Sequence, residues 1–382
     1  MTPRLIRIID ENTICKLKKL INYKDIREQC NLDNYINNLV DNDNGIVLGL
    51  YIDGYNNEIA YQIIEKYSET LTLLYCPFNN LIILPELQKI TQINCENNII
   101  SMFYHMDTVT HLNCGHNNLT ILQNMPQLKY LDCKCNNLTI LSNMPQLKYL
   151  DCEFNKIIII PEFQNLEELN CSNNLITTIL PLPNIIHINC DNNQLTELPK
   201  FQNLTILNCS NNQLTELPKF QNLTILNCSN NQLTELPKFQ NCEILNCSNN
   251  QLISLQELPK IKKLYCNHNQ LITLCELQNI ISLKCNWNNL ISLPDLPKIN
   301  YLNCEHNLLK SFPNILTVTR LHFYDNKITI APEIPNIIDL TYKCNPLPQE
   351  EIEKINNQYA KNVSPIIWEH TRDCLWPKMY YD

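Results

Sequence analysis

Leu204-Thr205-Ile206-Leu207-Asn208-Cys209-Ser210-Asn211-Asn212-Gln213-Leu214-Thr215-Glu216-Leu217-Pro218 is followed by Lys219-Phe220-Gln221-Asn222, and at Leu223 the same sequence begins again. Aligned on its cysteine, the pattern recurs fifteen times between residues 71 and 347: at Cys76, Cys95, Cys114, Cys133, Cys152, Cys171, Cys190, Cys209, Cys228, Cys247, Cys266, Cys285 and Cys304, then at Phe323 and Tyr342. The period is 19 residues with no insertion, and an asparagine stands three residues after each of these positions, from Asn79 to Asn345. A fixed period of this length means a stack of equivalent coils rather than a globule with one closed core.

Leu207 and Cys209 lie two apart and share one side of a strand, whereas Ile206, Asn208 and Ser210 share the other. With Leu204, Leu214 and Leu217, one coil presents about five apolar side chains inward, a set that only neighbouring coils can bury. The asparagine sits where the chain leaves the strand and bends. Its amide suits both donors and acceptors of the bend and of the adjacent coil. The return carries Pro199, Pro218, Pro237, Pro259 and Pro294; it is too short for an ordinary helix, and Leu-Pro favours an extended path. The expected fold is therefore an α/β solenoid with parallel strands on its concave side, an extended or polyproline-like convex side without α-helices, and helical caps.

The pattern L-x-x-L-x-C-x-x-N-x-L-x-x-L-P resembles the leucine-rich repeat and covers nearly three quarters of the chain. Its short Leu-Pro form is similar to the bacterial leucine-rich-repeat effectors that act inside host cells. That family often ends in a ubiquitin-ligase domain with a catalytic cysteine. Here about 35 residues follow the array, and Cys374 in Arg372-Asp373-Cys374-Leu375-Trp376 carries no ligase motif. Richness in Asn, Ile, Lys and Tyr, with three Ala and four Gly, also resembles the leucine-rich-repeat proteins of giant amoebal viruses.

Composition narrows the function. A net charge of −9 argues against a nucleic-acid groove, which needs a basic face. Thirteen of the twenty cysteines fill one inward column and read as small buried hydrophobes rather than as disulfides or zinc ligands; the nearest approach to a paired motif is Cys133-Lys134-Cys135, with Cys135 expected at the surface. No cofactor or metal is expected. No apolar run approaches the ~20 residues of a membrane span, and residues 1–25 lack a signal peptide's apolar core, so a reducing cytoplasm is the expected location.

Outside the array, residues 1–45 read as a helical segment, with Thr13 and Asp33 as helix caps and Asp41–Gly45 as a turn. Residues 46–70 read as a strand-helix cap: a strand over Ile46–Ile52, then a helix capped by Asn57 with Ile59, Ile63, Ile64 and Tyr67 inward. Residues 348–382 read as a C-terminal cap, with a helix over Gln349–Asn357 and a second from Ser364.

Since packing fixes the inward columns, function falls to the outward positions of each coil: the third, fifth and seventh, with the eighth at the rim. Around Cys190 to Cys247 these are mostly Ile, Asn, Ser and Asn, a uniform polar surface. Toward the N-terminus they become His111, Tyr130, Tyr149, Asp132, Asp151, Glu153 and Phe154, an aromatic and acidic patch. Toward the C-terminus they become Lys263, Tyr265, His268, Lys284, Trp287, Tyr301, His306, Arg320, His322 and Tyr324. Exposed Trp, Tyr and Arg are the types enriched at binding hot spots, so this second patch is expected to grip a protein partner, with the chain monomeric. The competing readings are a ubiquitin-ligase substrate receptor, although residues 1–45 show no Leu-Pro adaptor box, and a structural repeat protein without a ligand. Catalysis would need the rim pairs His116 with Cys135, or His306, Asp325 and Cys344, on an open face without an oxyanion site; the chain is expected not to be an enzyme.

Overall fold

The computed structural model describes residues 7–9, 49–52, 55–104 and 106–362. They fall into two compact units divided between Ile157 and Ile158. In the first, β1 (Arg7–Ile9) runs antiparallel to β2 (Gly49–Tyr51), and α1 (Asn57–Lys66) follows. Then come five parallel strands, β3 (Leu73–Tyr75), β4 (Gln92–Asn94), β5 (His111–Asn113), β6 (Tyr130–Asp132) and β7 (Tyr149–Asp151). The second unit opens with β8 (Ile159–Ile160), β9 (Glu168–Asn170) and β10 (Thr178–Ile179), and continues with β11 (His187–Asn189), β12 (Ile206–Asn208), β13 (Ile225–Asn227), β14 (Ile244–Asn246) and β15 (Lys263–Tyr265). It closes with β16 (Ser282–Lys284), β17 (Tyr301–Asn303), β18 (Arg320–His322), β19 (Asp339–Thr341) and α2 (Gln349–Asn362).

Because every coil has one length, each strand pairs with the equivalent residues of the next. Leu207 faces Leu226 and Leu226 faces Leu245, always in parallel. The return segments hold no α-helix among the described residues, as the Leu-Pro spacing requires. Their one regular pairing is the two-residue parallel ladder of β8 with β10.

Alternation along the strand gives the core. Leu204, Leu207, Cys209, Leu214 and Leu217 are all buried, and all thirteen cysteines of the column have no exposed surface. A sixth inward column, not among the expected five, lies on the return: Met125, Met144, Phe163, Phe201, Phe220, Phe239 and their equivalents are buried, and Phe201 stacks on Phe220 at 6.2 Å between centroids. Each large side chain buried this way contributes about 1.5–3 kcal/mol.

The asparagine column does what the bend requires. Asn231 accepts the Leu214 N–H at 3.0 Å through Oδ1, while its Nδ2 donates to the carbonyls of Cys209 at 3.0 Å and Cys228 at 3.2 Å. One amide thus ties two successive coils, and the same set recurs around Asn98, Asn136, Asn212, Asn288 and Asn326. A second, exposed ladder runs along the returns, where Asn203, Asn222 and Asn241 donate to carbonyls 20 residues earlier.

Between strand and asparagine the chain makes a left-handed step. In all fifteen coils the residue just before the asparagine has positive φ, from 50° at Phe154 to 60° at Cys344. Asparagine tolerates this conformation and fills the site at Asn97, Asn173, Asn192, Asn211, Asn230 and Asn249. Phe78, Phe154 and Trp287 adopt it too, although a bulky side chain there costs about 1–2 kcal/mol.

Helix α1 departs from expectation by one residue. Asn56, not Asn57, is the cap, its Oδ1 accepting the Ile59 N–H at 2.9 Å. Its buried residues are Ala60 and Ile64, while Ile59, expected inward, is exposed. Helix α2 runs to Asn362, five residues beyond the expected end. It lies against the last returns through bonds from Ala331 N–H to Glu351 and from Ile334 N–H to Gln358, with Ile355 buried. β1 falls inside the segment expected to be helical. The expected helices after Thr13 and Asp33, the turn at Asp41–Gly45, and the helix from Ser364 lie outside the described residues.

Candidate functional site

In the second unit the outward positions of β15 to β19 form one register. Lys263, Ser282, Tyr301, Arg320 and Asp339 follow one another across the strands, and Tyr265, Lys284, Asn303, His322 and Thr341 form the parallel row. Neighbouring rows bring cations onto rings. Lys284 Nζ lies 5.7 Å from the Tyr265 centroid and 5.5 Å from that of Tyr301, and the Arg320 guanidinium lies 4.7 Å from Tyr301. His322 meets Tyr301 edge-on at 5.8 Å and bonds Asp339 at 3.1 Å. Burial raises the Tyr301 phenol above its usual range, against the Asn303 hydrogen bond and the Arg320 charge.

Tyr265 corrects the sequence reading. Strand parity points it outward, yet it is only 4 % exposed. An outward residue of one strand is covered by long side chains one coil away, and Lys284 lies over this ring. Tyr265 supports the face from beneath, whereas Lys263 is exposed and Lys284, Tyr301, Arg320, His322 and Tyr324 are half-buried.

The left-handed step sets the rim. It turns out successive side chains of one column, and His268, Trp287 and His306 stack at 5.5 and 3.8 Å, with Tyr324 edge-on to His306 at 5.3 Å. Asp325 holds His306 Nδ1 at 2.9 Å, and a hydrogen bond with the exposed Cys344 thiol raises the Tyr324 phenol. Trp287 remains 49 % exposed. All ten expected C-terminal residues fall on two adjoining strips, the strand rows and the rim.

The face of the first unit differs from expectation. His111, Tyr130 and Tyr149, expected only to lie outward, stack on one another, the last two at 4.4 Å and nearly parallel. The acidic pair is not a surface patch, however: Asp132 and Asp151 are 5 % and 3 % exposed. Lys134, which sequence reading left out, reaches Asp132 at 2.9 Å, and Gly115 leaves the room, since a Cβ there would sit 3.3 Å from both side chains. Asp151 stands directly across from Asp132; burial and that neighbouring charge push its pKa up to about 7. The signal for Lys134 was available in the sequence, because the seventh position places it beside the fifth.

The Cys135 thiol at the rim lacks activation. Burial, then Glu153, raises the Cys135 thiol, which lowers its thiolate fraction and is the opposite of a primed nucleophile. Burial raises the ladder thiols such as Cys228 well above their usual range, and pushes Cys242, which stands at the Leu223 position of its coil, up to about 12. No cluster of three or more His, Cys, Asp or Glu suited to a metal occurs among the described residues, and none of their helices is long and apolar enough to cross a membrane.

Two family models match the chain, one described as Leucine Rich repeats (2 copies) over residues 202–241 and one as Leucine Rich Repeat over 165–183. No curated protein matches it significantly. Among solved structures it is similar to a leucine-rich-repeat protein of Leptospira interrogans, at TM-score 0.63 and 23 % identity over 83 % of this chain and 89 % of that one. It is also similar to YopM from Yersinia enterocolitica, at 0.57 and 26 % over 72 % and 74 %. A third likeness is to the functional domain of InlJ from Listeria monocytogenes, whose description includes a cysteine ladder, at 0.56 and 27 % over 66 % of each chain.

Proposed function

We propose that this leucine-rich-repeat solenoid is a non-enzymatic scaffold that binds a protein partner on the outward face of β15 to β19. Solenoids of this kind generally serve as protein-interaction scaffolds, their stacked strands offering an extended surface. The observation that carries the reading is Tyr301, half-buried between Lys284 and Arg320 and beside the exposed Trp287 rim, in coils that abandon the uniform Ile-Asn-Ser-Asn face. A half-buried aromatic held by two cations is the composition of an interaction hot spot. The raised, unprimed Cys135 thiol supports a binding role over chemistry in its column. The column of free buried cysteines supports a reducing cytoplasm, and the Asn-, Ile- and Lys-rich composition, which resembles that of giant amoebal virus proteins, suits a host cell; the chain is read as a monomer.

Affinity capture from lysate tests this. The intact protein is compared with Trp287→Ala/Tyr301→Ala/Tyr324→Ala and with Ile206→Ala/Ile225→Ala on the uniform coils, each checked for an unchanged thermal midpoint. The first variant is expected to lose a retained protein that the second keeps. Equal retention by all three would overturn the assignment of the face.

A further inference from the structure

Independently of the strand face, we infer that the returns of the second unit pair with a second copy of this chain, about a two-fold axis between the coils of Lys238 and Glu257. The observation is a column of charge. At one position of six successive returns stand Lys200, Lys219, Lys238, Glu257, Glu276 and Asp295, each 19 residues from the last and bounded by the neutral Pro181 and Asn314. All six are exposed. Stacked coils bring the three cations to intervals of ~4.8 Å, and the three acids likewise, so each half of the column repels itself.

Elsewhere the chain pairs opposite charges one coil apart, as where Lys262 reaches Glu243 at 2.7 Å. This column does not. Among the described residues none of the six enters an ion pair, and Glu276 accepts only the Gln278 amide, at 3.1 Å. Segregated in this way, the column is complementary to itself reversed. A two-fold axis in the plane of contact, crossing the column at its midpoint, sets Lys200 against Asp295 of the second copy, Lys219 against Glu276 and Lys238 against Glu257.

The neighbouring column obeys the same axis. Three residues earlier on each return are Glu197, Glu216 and Glu235, then Ser254, Thr273 and Ser292. Glu216 and Glu235 line one surface groove with Lys219 and Lys238, so the two columns share a face. The reversal sets each of these glutamates against a hydroxyl that can donate to it, and on neither column do like charges meet.

The strip is five coil intervals of ~4.8 Å, about 24 Å long and one return wide, narrower than a lasting interface needs. Its exposed ion pairs are individually weak and are screened by salt. The chain is therefore a monomer when dilute and pairs as its concentration rises. Pairing through the returns leaves the outward strand face of both copies open, so that a partner with two sites meets two such faces at once.

Sedimentation velocity of the full-length protein over a concentration series, at low and at high salt, tests this with two variants of unchanged net charge. Lys219→Glu/Glu276→Lys exchanges two residues that the axis sets against each other, and is expected to self-associate as the wild type does. Lys219→Glu/Glu257→Lys sets like charges against each other at both changed positions, and is expected to lose self-association with its thermal midpoint unchanged. The wild type is expected to associate less as salt rises. A wild type that stays monomeric at low salt across the series, association indifferent to salt, or two variants that behave alike would each overturn the inference.

Discussion

Replacing Asn231 by alanine isolates what holds one coil to the next. The amide makes four bonds, but three of its partners are insured. Without it, the Cys209 carbonyl keeps the Asn212 amide at 3.2 Å, the Cys228 carbonyl keeps Asn250 at 2.9 Å, and the Ser229 carbonyl keeps the Asn211 N–H at 3.0 Å. The Leu214 N–H, which Asn231 satisfies at 3.0 Å inside the coil, is left with no replacement. An orphaned buried donor costs about 1–3 kcal/mol. The small void left by the amide adds to this, so Asn231→Ala is expected to destabilise by about 2–3 kcal/mol. The assay is urea unfolding followed by circular dichroism, with amide exchange at Leu214 and Leu233. Exchange should accelerate at Leu214, while Leu233, which donates to Asn250, keeps its protection. Exposed Gln232→Ala is the control, expected within ~0.5 kcal/mol of wild type. A loss no larger than the control's, or acceleration at both amides alike, would refute the reasoning.

Two further outcomes follow from the other strained positions. Asp151 has a folded pKa raised to about 7 by burial and by Asp132. Its contribution is therefore fully present below the unfolded carboxylate value and is lost as pH rises through about 7. Asp151→Asn keeps the acceptor for Glu153 N–H and should gain about 1–3 kcal/mol at pH 8 and nearly nothing at pH 4, read as thermal midpoints at the two pH values; a pH-independent effect would contradict it. Phe154 is exposed and holds φ of 50°; Phe154→Asn should stabilise by about 1 kcal/mol in urea melts, and a clear loss would mean that the ring is held by packing.

How far the chain could be read before folding differs between its two sides. Inward residues were legible because a coil touches only its neighbours, so a 19-residue period repeats each contact with the same chemistry. Leu207, Cys209 and Asn212 could be assigned from one copy. The return phenylalanines were equally periodic, at Phe201, Phe220 and Phe239, and went unassigned because the Leu-Pro segment reads as surface. The face was legible only as a roster. Parity named Lys263, Tyr301, Arg320 and the rest as outward, but whether an outward residue meets solvent depends on the length of side chains one coil away.

Sequence alone therefore determined the parallel coils, the cysteine core, the asparagine ties and the helix-free returns, since each follows from local geometry repeated at a fixed period. Only the tertiary structure decided that Tyr265 lies beneath Lys284, that Asp132 and Asp151 are buried with Lys134, and that Trp287 stands at a left-handed step with both faces covered. Those outcomes arise between side chains 19 residues apart that share no pattern, where reach, charge and ring packing act together and no periodicity records the result.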